Sequence, residues 1–298
     1  MKSLKGIKRN SGLTYALKYA AGVLKQGIGV SKREVYRKFG GRSPLIHSYS
    51  TFNRYMGIAK EFVNWARERG VNRLDKVTPE VVREFLLSKA GYCSQKTLKV
   101  NASALRKFFE VVGRPDLSEE IGRSYQEIYS EGRQSGRALA FAHPERVISN
   151  LKEEVHRVMA ELQLLTGARV GDVKKMELLP LENRVVIKKS KGGRTRKIDY
   201  SDRPEEFERI GELHGRLKEL LREKDWSSVR KSYYSDLKRA AVKAGEVYTG
   251  SHAFRVNYVK RRLEQLKGRE LPEEEALKVV ESEIGHSRIE MSIYYSRG

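Results

Sequence analysis

The sequence predicts a mainly α-helical protein of two domains, with a small β-sheet or hairpin in the second. At 298 residues the chain is long enough for two domains of ordinary size. Apolar residues recur at helical spacing along most of it. A polar, glycine-bearing stretch without periodicity, residues 130–138, separates the two halves. We expect a basic N-terminal extension at 1–48, a helical domain at 49–131, a linker at 132–142 and a second domain at 143–298.

Two short helices are predicted in the N-terminal extension. One lies near Leu13–Lys25, and the other begins at Ser31, where Glu34 completes a capping box, and ends by Gly40-Gly41. The segment is strongly basic, since residues 1–50 hold eleven Lys or Arg and one acid. Two interpretations stay open, a small DNA-contacting appendage and a basic, partly disordered tail.

The first domain is predicted to contain three amphipathic helices. The first runs from Ser50 to Gly70, the second begins at Pro79 after the N-cap Thr78, and the third ends at Gly113. Their exposed faces carry cations, which we expect to contact DNA phosphates, although solvated charges are the simpler alternative. These predicted contacts are Lys60, Lys96, Lys99, Arg106 and Lys107.

In the second domain, Pro144 opens a helix, and an apolar stripe over Val155–Leu165 indicates more helix. Two β-prone runs around Ser-Lys-Gly-Gly are typical of a hairpin. Further helices are expected after His252 and after Pro272. The remaining predicted elements are strands at Arg184–Lys189 and Arg196–Tyr200 and helices at Glu205–Glu223 and Ser228–Ala244.

The net charge of +22 indicates a polyanionic partner, and nucleic acid fits best. A charge-rich thermophile surface would explain many charges but not their imbalance. The single cysteine, Cys93, excludes an intramolecular disulfide and an all-cysteine metal site, which fits a reducing cytoplasm. No run approaches the roughly 18 apolar residues of a membrane helix, and no nucleotide-binding or metal-binding motif occurs, so we expect neither membrane nor cofactor.

Six residues suit metal-free phosphodiester cleavage. Arginines hold the non-bridging oxygens of a phosphate, acid and base groups move protons, and a phenol attacks phosphorus. Each residue alone is unremarkable; their order and spacing carry the prediction. The six are Arg169, Lys191, His252, Arg255, His286 and Tyr295.

In these motifs the chain resembles the tyrosine recombinase, or phage-type integrase, family. Thr166-Gly167-Ala168-Arg169, with Asp172 three residues on, is similar to the family's first arginine box. Ser190-Lys191-Gly192 is similar to its hairpin lysine motif, and His252-Ala253-Phe254-Arg255 to its His-x-x-Arg box. Ile284-Gly285-His286, followed nine residues later by Tyr295, is similar to the last box and the nucleophile. The resemblance covers roughly residues 140–298, with a helical domain in front.

The resemblance implies a role for each residue. Tyr295 attacks the scissile phosphate and forms a 3′-phosphotyrosyl bond, while Arg169 and Arg255 hold the phosphate. Lys191 protonates the leaving 5′-oxygen. His252 handles the tyrosine's proton or binds phosphate, His286 binds a non-bridging oxygen, and Asp172 orients an arginine or histidine. Because the tyrosyl bond keeps the phosphodiester's energy, neither ATP nor metal is required.

Three features depart from the family pattern. Tyr294 adjoins Tyr295, and spacing alone selects the second as nucleophile. More residues separate Arg255 from His286 than is usual in the family, and the additional segment contains Glu273–Glu275. The sequence ends three residues after Tyr295, where family members commonly continue into a tail that packs on a neighbouring subunit. A homotetramer on paired DNA sites is still expected, but the sequence supports it less directly than it supports the catalytic residues.

Together these observations predict a site-specific recombinase acting on double-stranded DNA. We expect it to integrate or excise a mobile element, and the charge-rich composition resembles that of archaeal virus or plasmid integrases. A chromosome-dimer resolvase would share the chemistry. The remaining alternatives are a catalytically inactive DNA-binding accessory protein and a type IB topoisomerase, which relaxes supercoils at many sequences.

Overall fold

The computed structural model describes residues 6–40, 43–130, 132, 139–190 and 193–285. The chain forms two compact units, Met1–Gly136 and Arg137–Gly298. Both are mainly helical, and the second holds one small antiparallel sheet, so the predicted fold class is confirmed. The finer borders at residues 48, 131 and 142 remain predictions. Over the described ranges, no helix combines the length and apolar character needed to cross a bilayer.

Among its described residues, unit 1 contains six α-helices, five of which match helices predicted from the sequence. The second begins after Ser31, but the Ser31 side chain accepts no hydrogen bond from the first turn, so the predicted capping box is wrong. Thr78 does act as a cap, and its hydroxyl accepts from the Val81 amide at 3.4 Å. The helices are α1 (Leu13–Lys25), α2 (Lys32–Phe39), α3 (Tyr49–Glu68), α4 (Pro79–Ala90), α5 (Gln95–Val112) and α6 (Pro115–Ser130), with a 3₁₀ turn at Leu74–Lys76.

Helix α6 was not predicted. Pro115, two residues after the predicted helix end at Gly113, occupies the first turn of a new helix, where its missing N–H and fixed φ are tolerated. Leu117, Ile121 and Ile128 then recur at helical spacing and are all buried. The turn between α5 and α6 is only Gly113 and Arg114, and the left-handed φ of Gly113 (85°) makes it possible.

The core of unit 1 is aromatic at its centre. Phe62 contacts Phe85 and Phe109 edge-to-face, with ring centroids 5.4 and 5.6 Å apart. Helix α5 packs against α1, α3, α4 and α6. Helix α1 buries Leu13, Ala16, Ala20 and Leu24 in the same core, so this part of the basic N-terminal segment belongs to the helical unit.

In the described part of unit 2 there are six further α-helices and three strands. The stretch after Pro144 divides into two helices, because residues 150–153 leave helical geometry. The elements are α7 (Pro144–Ser149), α8 (Glu154–Thr166), β1 (Met176–Leu179), β2 (Arg184–Ile187), β3 (Arg196–Asp199), α9 (Pro204–Leu221), α10 (Trp226–Lys243), α11 (His252–Lys267) and α12 (Glu273–Ile284), with 3₁₀ turns at Val170–Lys175 and Pro180–Glu182.

The sheet is a meander in the order β1-β2-β3, antiparallel throughout. The predicted hairpin is its β2-β3 half, in which Val185 pairs with Ile198. Strand β1, where Met176 pairs with Ile187, was missed because four residues after a 3₁₀ turn give too short an alternation to detect. On the inner face the hairpin buries Val185, Ile187 and Ile198.

Helix α8 lies at the centre of unit 2 and packs against α7, α9, α10 and α11. The buried Asp236 side chain of α10 fixes the start of α8: its Oδ2 accepts from the amides of Lys152 (3.0 Å) and Glu153 (3.3 Å) and from His156 Nδ1 (2.8 Å). Burial alone would raise the pKa of Asp236, but these hydrogen bonds outweigh it and lower the pKa. The far end of α8 leads into the candidate site.

Candidate functional site

Unit 2 carries a cleft of about 780 Å³ beside the end of α8. Four segments distant in sequence form its wall: the turn after α8, the end of β2, the start of α10 and the start of α11. Its lining is mostly basic and polar. The lining residues are Gln163, Arg169, Val170, Gly171, Asp172, Lys174, Lys175, Lys189, Ser190, Trp226, Arg230, Tyr234, Gly250, Ser251 and His252.

Arg169 enters the cleft because α8 ends at Thr166, three residues before it. Gly167 takes a left-handed φ of 59° as the helix C-cap, and the chain becomes extended at Arg169. The Arg169 side chain is 24% exposed, and its Nη1 lies 3.3 Å from Ser190 Oγ and 3.7 Å from Asp172 Oδ2. These contacts orient the guanidinium and leave part of it open to the cleft, as an anion-binding fork requires.

Asp172 is the buried anion of this cleft. Its Oδ2 accepts from Ser190 Oγ at 2.7 Å, and Lys175 Nζ lies 3.8 Å from Oδ1. Arg169 and Arg196 approach Oδ2 to 3.7 and 3.9 Å. One carboxylate thus organises three cations and the hydroxyl of Ser190, the residue before Lys191. The supporting role expected of Asp172 stays a prediction.

His252 is the first residue of α11 and lines the same cleft as Arg169. Its ring is half-buried. At this position the positive end of the helix faces the same region, which favours anion binding there. The structure therefore brings Arg169, Asp172 and His252 together, although they are spread over more than eighty positions.

Arg255 lies one turn further along α11 and is fully buried. Its Nη1 donates to the Gly167 carbonyl at 2.5 Å and its Nη2 to the Ile284 carbonyl. These are the C-terminal ends of α8 and α12, where backbone carbonyls lack helical partners and attract cations. Arg255 is therefore next to the Arg169 turn but does not line the cleft itself.

Four predicted site residues, Lys191, His286, Tyr294 and Tyr295, lie outside the described residues. Their neighbours in sequence are described. Ser190 contacts Asp172 and Arg169 in the cleft, and Gly285 is the C-cap of α12, with φ of 66°. The assignment of all catalytic positions, described or not, stays a prediction.

The α10 side of the cleft was not predicted from the sequence motifs. Trp226, Arg230 and Tyr234 line it from successive turns of that helix, and Lys174 Nζ lies 5.4 Å from the Trp226 ring centroid. The i, i+4, i+8 spacing of these three residues was the available signal. A basic and aromatic stripe on one helix face is typical of nucleic-acid surfaces.

Arg196, the first residue of β3, was also missed. Its side chain is 3% exposed, and Nη1 donates to the Glu283 carbonyl at 2.9 Å. Burial lowers the pKa of Arg196 to about 10, with a contribution from the charge of Arg169 that Asp172 opposes. The group is still protonated at neutral pH, so a second buried guanidinium contacts the end of α12.

A buried polar network surrounds that helix end. The Glu283 carboxylate accepts from Tyr258 Oη at 2.7 Å and from Arg262 Nε at 3.1 Å. Burial raises the pKa of Glu283 above its usual value against the pull of Arg262, and burial raises the pKa of Tyr258 as well. The network connects α11 to α12 immediately before Gly285.

Metal binding finds no support among the described residues. Within the described ranges, no cluster of three or more His, Cys, Asp or Glu side chains is placed to hold an ion. The wall of the cleft contributes one carboxylate and several cations, a donor set that suits an anion better than a metal. The absence of a cofactor stays a prediction.

The predicted DNA contacts of unit 1 fall on two helices. Lys60 on α3 and Lys96, Lys99 and Arg106 on α5 are exposed. Lys107 is half-buried instead: its Nζ donates to the Ser43 carbonyl at 2.9 Å and lies 3.5 Å from Glu110. Lys107 thus has partners within unit 1, while the other four cations face solvent.

Comparison with known proteins agrees with this architecture. Residues 46–114, which span α3 to α5, match the family described as phage integrase, N-terminal SAM-like domain. No curated protein sequence matches the chain.

Among solved structures, the chain is similar to a lambda integrase dimer bound to a COC′ core site (TM-score 0.64, 17% identity, 97% of this chain and 79% of that one). It is also similar to XerH site-specific recombinase in a post-cleavage complex with palindromic difH substrate (TM-score 0.59, 15% identity, 98% and 94%). A third similar structure is a lambda integrase tetramer bound to a Holliday junction (TM-score 0.60, 17% identity, 98% and 79%). At such identities the likeness establishes a shared fold, the one that the motifs predicted.

Proposed function

We propose that this chain is a site-specific tyrosine recombinase that cleaves and rejoins double-stranded DNA through a 3′-phosphotyrosyl intermediate. One observation carries the proposal: Arg169, Asp172 and His252 converge on one cationic cleft, with Arg255 directly behind it. In sequence these residues follow the order of the recombinase boxes. The fold shared with lambda integrase and XerH supports the same conclusion.

In the proposed reaction the scissile phosphate binds at Arg169 and the start of α11. The Tyr295 oxygen attacks phosphorus and loses its proton to His252 or water, and the 5′-oxygen leaves with a proton from Lys191. One P–O bond breaks and one forms, so no energy source is consumed. Attack by a 5′-hydroxyl from a partner strand reverses the step and joins the new pair of ends.

Arg169 and Arg255 have different environments in the structure. Arg169 is partly exposed, whereas Arg255 is buried against two helix ends. We infer that Arg169 is the first cation a phosphate meets. Arg255 holds the Gly167 carbonyl, and so the turn that presents Arg169, until the phosphate arrives.

We propose double-stranded DNA as the partner, contacted by the exposed cations of α3 and α5 and by the α10 side of the cleft. The lambda integrase structures are a dimer and a tetramer on DNA, which supports a homotetramer on paired sites for this chain. Action on a mobile element, of archaeal virus or plasmid type, is the finer proposal and rests on the basic composition.

The test is covalent trapping. The protein is incubated with a pool of nicked duplexes whose sequence is random on both sides of the nick, and adducts that survive detergent are recovered and sequenced. After cleavage near the nick, the short strand that ends in the 5′-hydroxyl diffuses away, so the phosphotyrosyl product accumulates. We expect an adduct enriched for one sequence, lost in Tyr295→Phe and kept in Tyr294→Phe.

The other outcomes discriminate the alternatives. Loss of the adduct in Tyr294→Phe only would overturn the choice of nucleophile. Retention of DNA binding without any adduct would favour the inactive accessory protein. Adducts of unrelated sequence, together with relaxation of a supercoiled plasmid, would favour a type IB topoisomerase.

A further inference from the structure

Arg196 lies where three parts of the candidate site meet. It begins β3, the first strand after Lys191 in sequence. Its Nη2 is 3.9 Å from Asp172 Oδ2, and its Nη1 donates to the Glu283 carbonyl at 2.9 Å. Its aliphatic stem also lies against Gly285, because a Cβ placed on Gly285 would be 3.2 Å from Arg196 Cδ.

Two guanidinium groups therefore bind adjacent carbonyls at the end of α12. Arg196 binds the carbonyl of Glu283 and Arg255 that of Ile284. The last carbonyls of a helix have no partner within it, and a cation there gains both a hydrogen bond and the helix dipole. The next residue, Gly285, precedes the predicted phosphate-binding His286.

The guanidinium of Arg196 also has unused hydrogen-bonding capacity. Among the described residues, its Nε and Nη2 have no hydrogen-bond partner, although the side chain is almost fully buried. A buried charge that lacks part of its hydrogen-bond partners lowers the stability of the fold, so stability alone does not explain why an arginine occupies this position. The nearby Asp172 carboxylate, which also orients Arg169, supplies that reason.

We propose that Arg196 is a positioning residue for the recombinase site, which fixes the C-terminal end of α12, at Glu283 and Gly285, relative to Asp172 and Arg169. The expected effect of Arg196 on cleavage rests on the proposed function, whereas its expected effect on the end of α12 does not. A guanidinium joins the two sides because it can donate to the Glu283 carbonyl and face Asp172 at once. With a side chain 3% exposed, Arg196 does not itself touch DNA.

The first arm of the test needs no DNA. Amide hydrogen exchange is compared in the wild-type protein, Arg196→Met and Lys197→Met. Lys197 is the matched control, since it is the next residue of β3 and is exposed. We expect exchange in the last turn of α12 to be at least tenfold faster in Arg196→Met, with α9 unchanged, and no change in Lys197→Met.

The second arm uses the DNA sequence recovered by covalent trapping. Single-turnover cleavage at saturating duplex is measured alongside the Kd for the same duplex. We expect Arg196→Met to slow cleavage roughly 10- to 100-fold, as displacement of a catalytic group does, while Kd stays within about threefold. Arg196→Lys keeps the charge but cannot contact the Glu283 carbonyl and Asp172 at the same time. The logarithm of its cleavage rate should therefore lie closer to that of Arg196→Met than to that of the wild-type protein.

The two arms separate the possible failures. If amide exchange at the end of α12 is as slow in Arg196→Met as in Lys197→Met, the inference is overturned, whatever the cleavage activity of the variant. Faster exchange with wild-type cleavage in Arg196→Met would also overturn it, because the turn would then not matter for catalysis. A wild-type protein that forms no adduct would refute the proposed function, and the exchange arm would still decide whether Arg196 holds α12. Should Arg196→Met not fold, the same comparisons are made with Arg196→Lys.

Discussion

Gly167→Ala should destabilise unit 2 more than a typical glycine substitution. Gly167 ends α8 in the left-handed region, with φ of 59°, and its carbonyl accepts from Arg255. An added Cβ would lie 2.5 Å from Tyr258 Cδ1, well inside van der Waals contact. Tyr258 is fully buried and donates to Glu283, so its ring has little room to move.

The magnitude follows from two contributions. The left-handed conformation costs an alanine about 1–2 kcal/mol relative to glycine. Overpacking against a buried ring adds about 1–3 kcal/mol. We therefore expect the free energy of unfolding of unit 2 to fall by about 2–5 kcal/mol, and the cleavage activity of the remaining folded protein to fall with it, because the Arg169 turn shifts.

The two tryptophans allow this loss to be assigned to one unit. Trp65 lies in α3 of unit 1 and Trp226 in α10 of unit 2. In a Trp65→Phe background, urea unfolding followed by fluorescence reports on unit 2 through Trp226 alone. The free energy is read from the transition midpoint and its slope.

Gly215→Ala serves as the matched control in the same background. Gly215 is inside α9, and an added Cβ there would have no heavy atom within 4 Å. Alanine should stabilise that helix by about 0.5–1 kcal/mol. A Gly167→Ala loss below about 1 kcal/mol would refute the reasoning, since it would mean that the Tyr258 ring moves aside freely.

Two further predictions concern charge. Arg169→Lys should lose most cleavage, about 100-fold, while duplex affinity in a filter-binding assay changes little, because the charge stays but the planar fork is lost; a parallel loss of both would contradict the role given to Arg169. Burial, helped by the charge of Lys218, lowers the pKa of His214, whose Nε2 contacts the Met176 carbonyl. The unfolded chain therefore binds the proton more readily, and stability should fall as pH drops below the ordinary value of 6.5. His214→Gln should reduce the difference in urea midpoint between pH 7 and pH 5.5, and an unchanged difference would exclude His214 as its source.

The sequence predicted most helices because their apolar stripes and caps are local signals. Pro79 after Thr78 marked the start of α4, and Pro144 the start of α7. Pro115 shows the limit of such signals, because a proline both follows a helix end and opens the next helix. Strand β1 depends on its pairing with β2, which only the folded chain provides.

The candidate site shows the same difference between local and tertiary signals. Arg169, Asp172, His252 and Arg255 belong to short motifs with fixed spacing, so residue order alone was enough to propose them, and their catalytic roles stay predictions. Arg196 belongs to no such motif: a basic residue in a short β-prone run usually faces solvent. The role proposed for Arg196 depends on its burial against α12, which lies more than seventy residues away in sequence and becomes close only through tertiary packing.

Side chains from other helices hold helix α8 at both ends. With 13 residues it is about 20 Å long. Asp236 secures its first turn and Arg255 the carbonyl just past its last. Because the helix is rigid, a tilt caused by a substitution near Asp236 also moves the opposite end and the turn that carries Arg169. Substitutions at that end, far from the proposed phosphate site, should therefore be recovered in a screen for variants with altered rates of the proposed recombination.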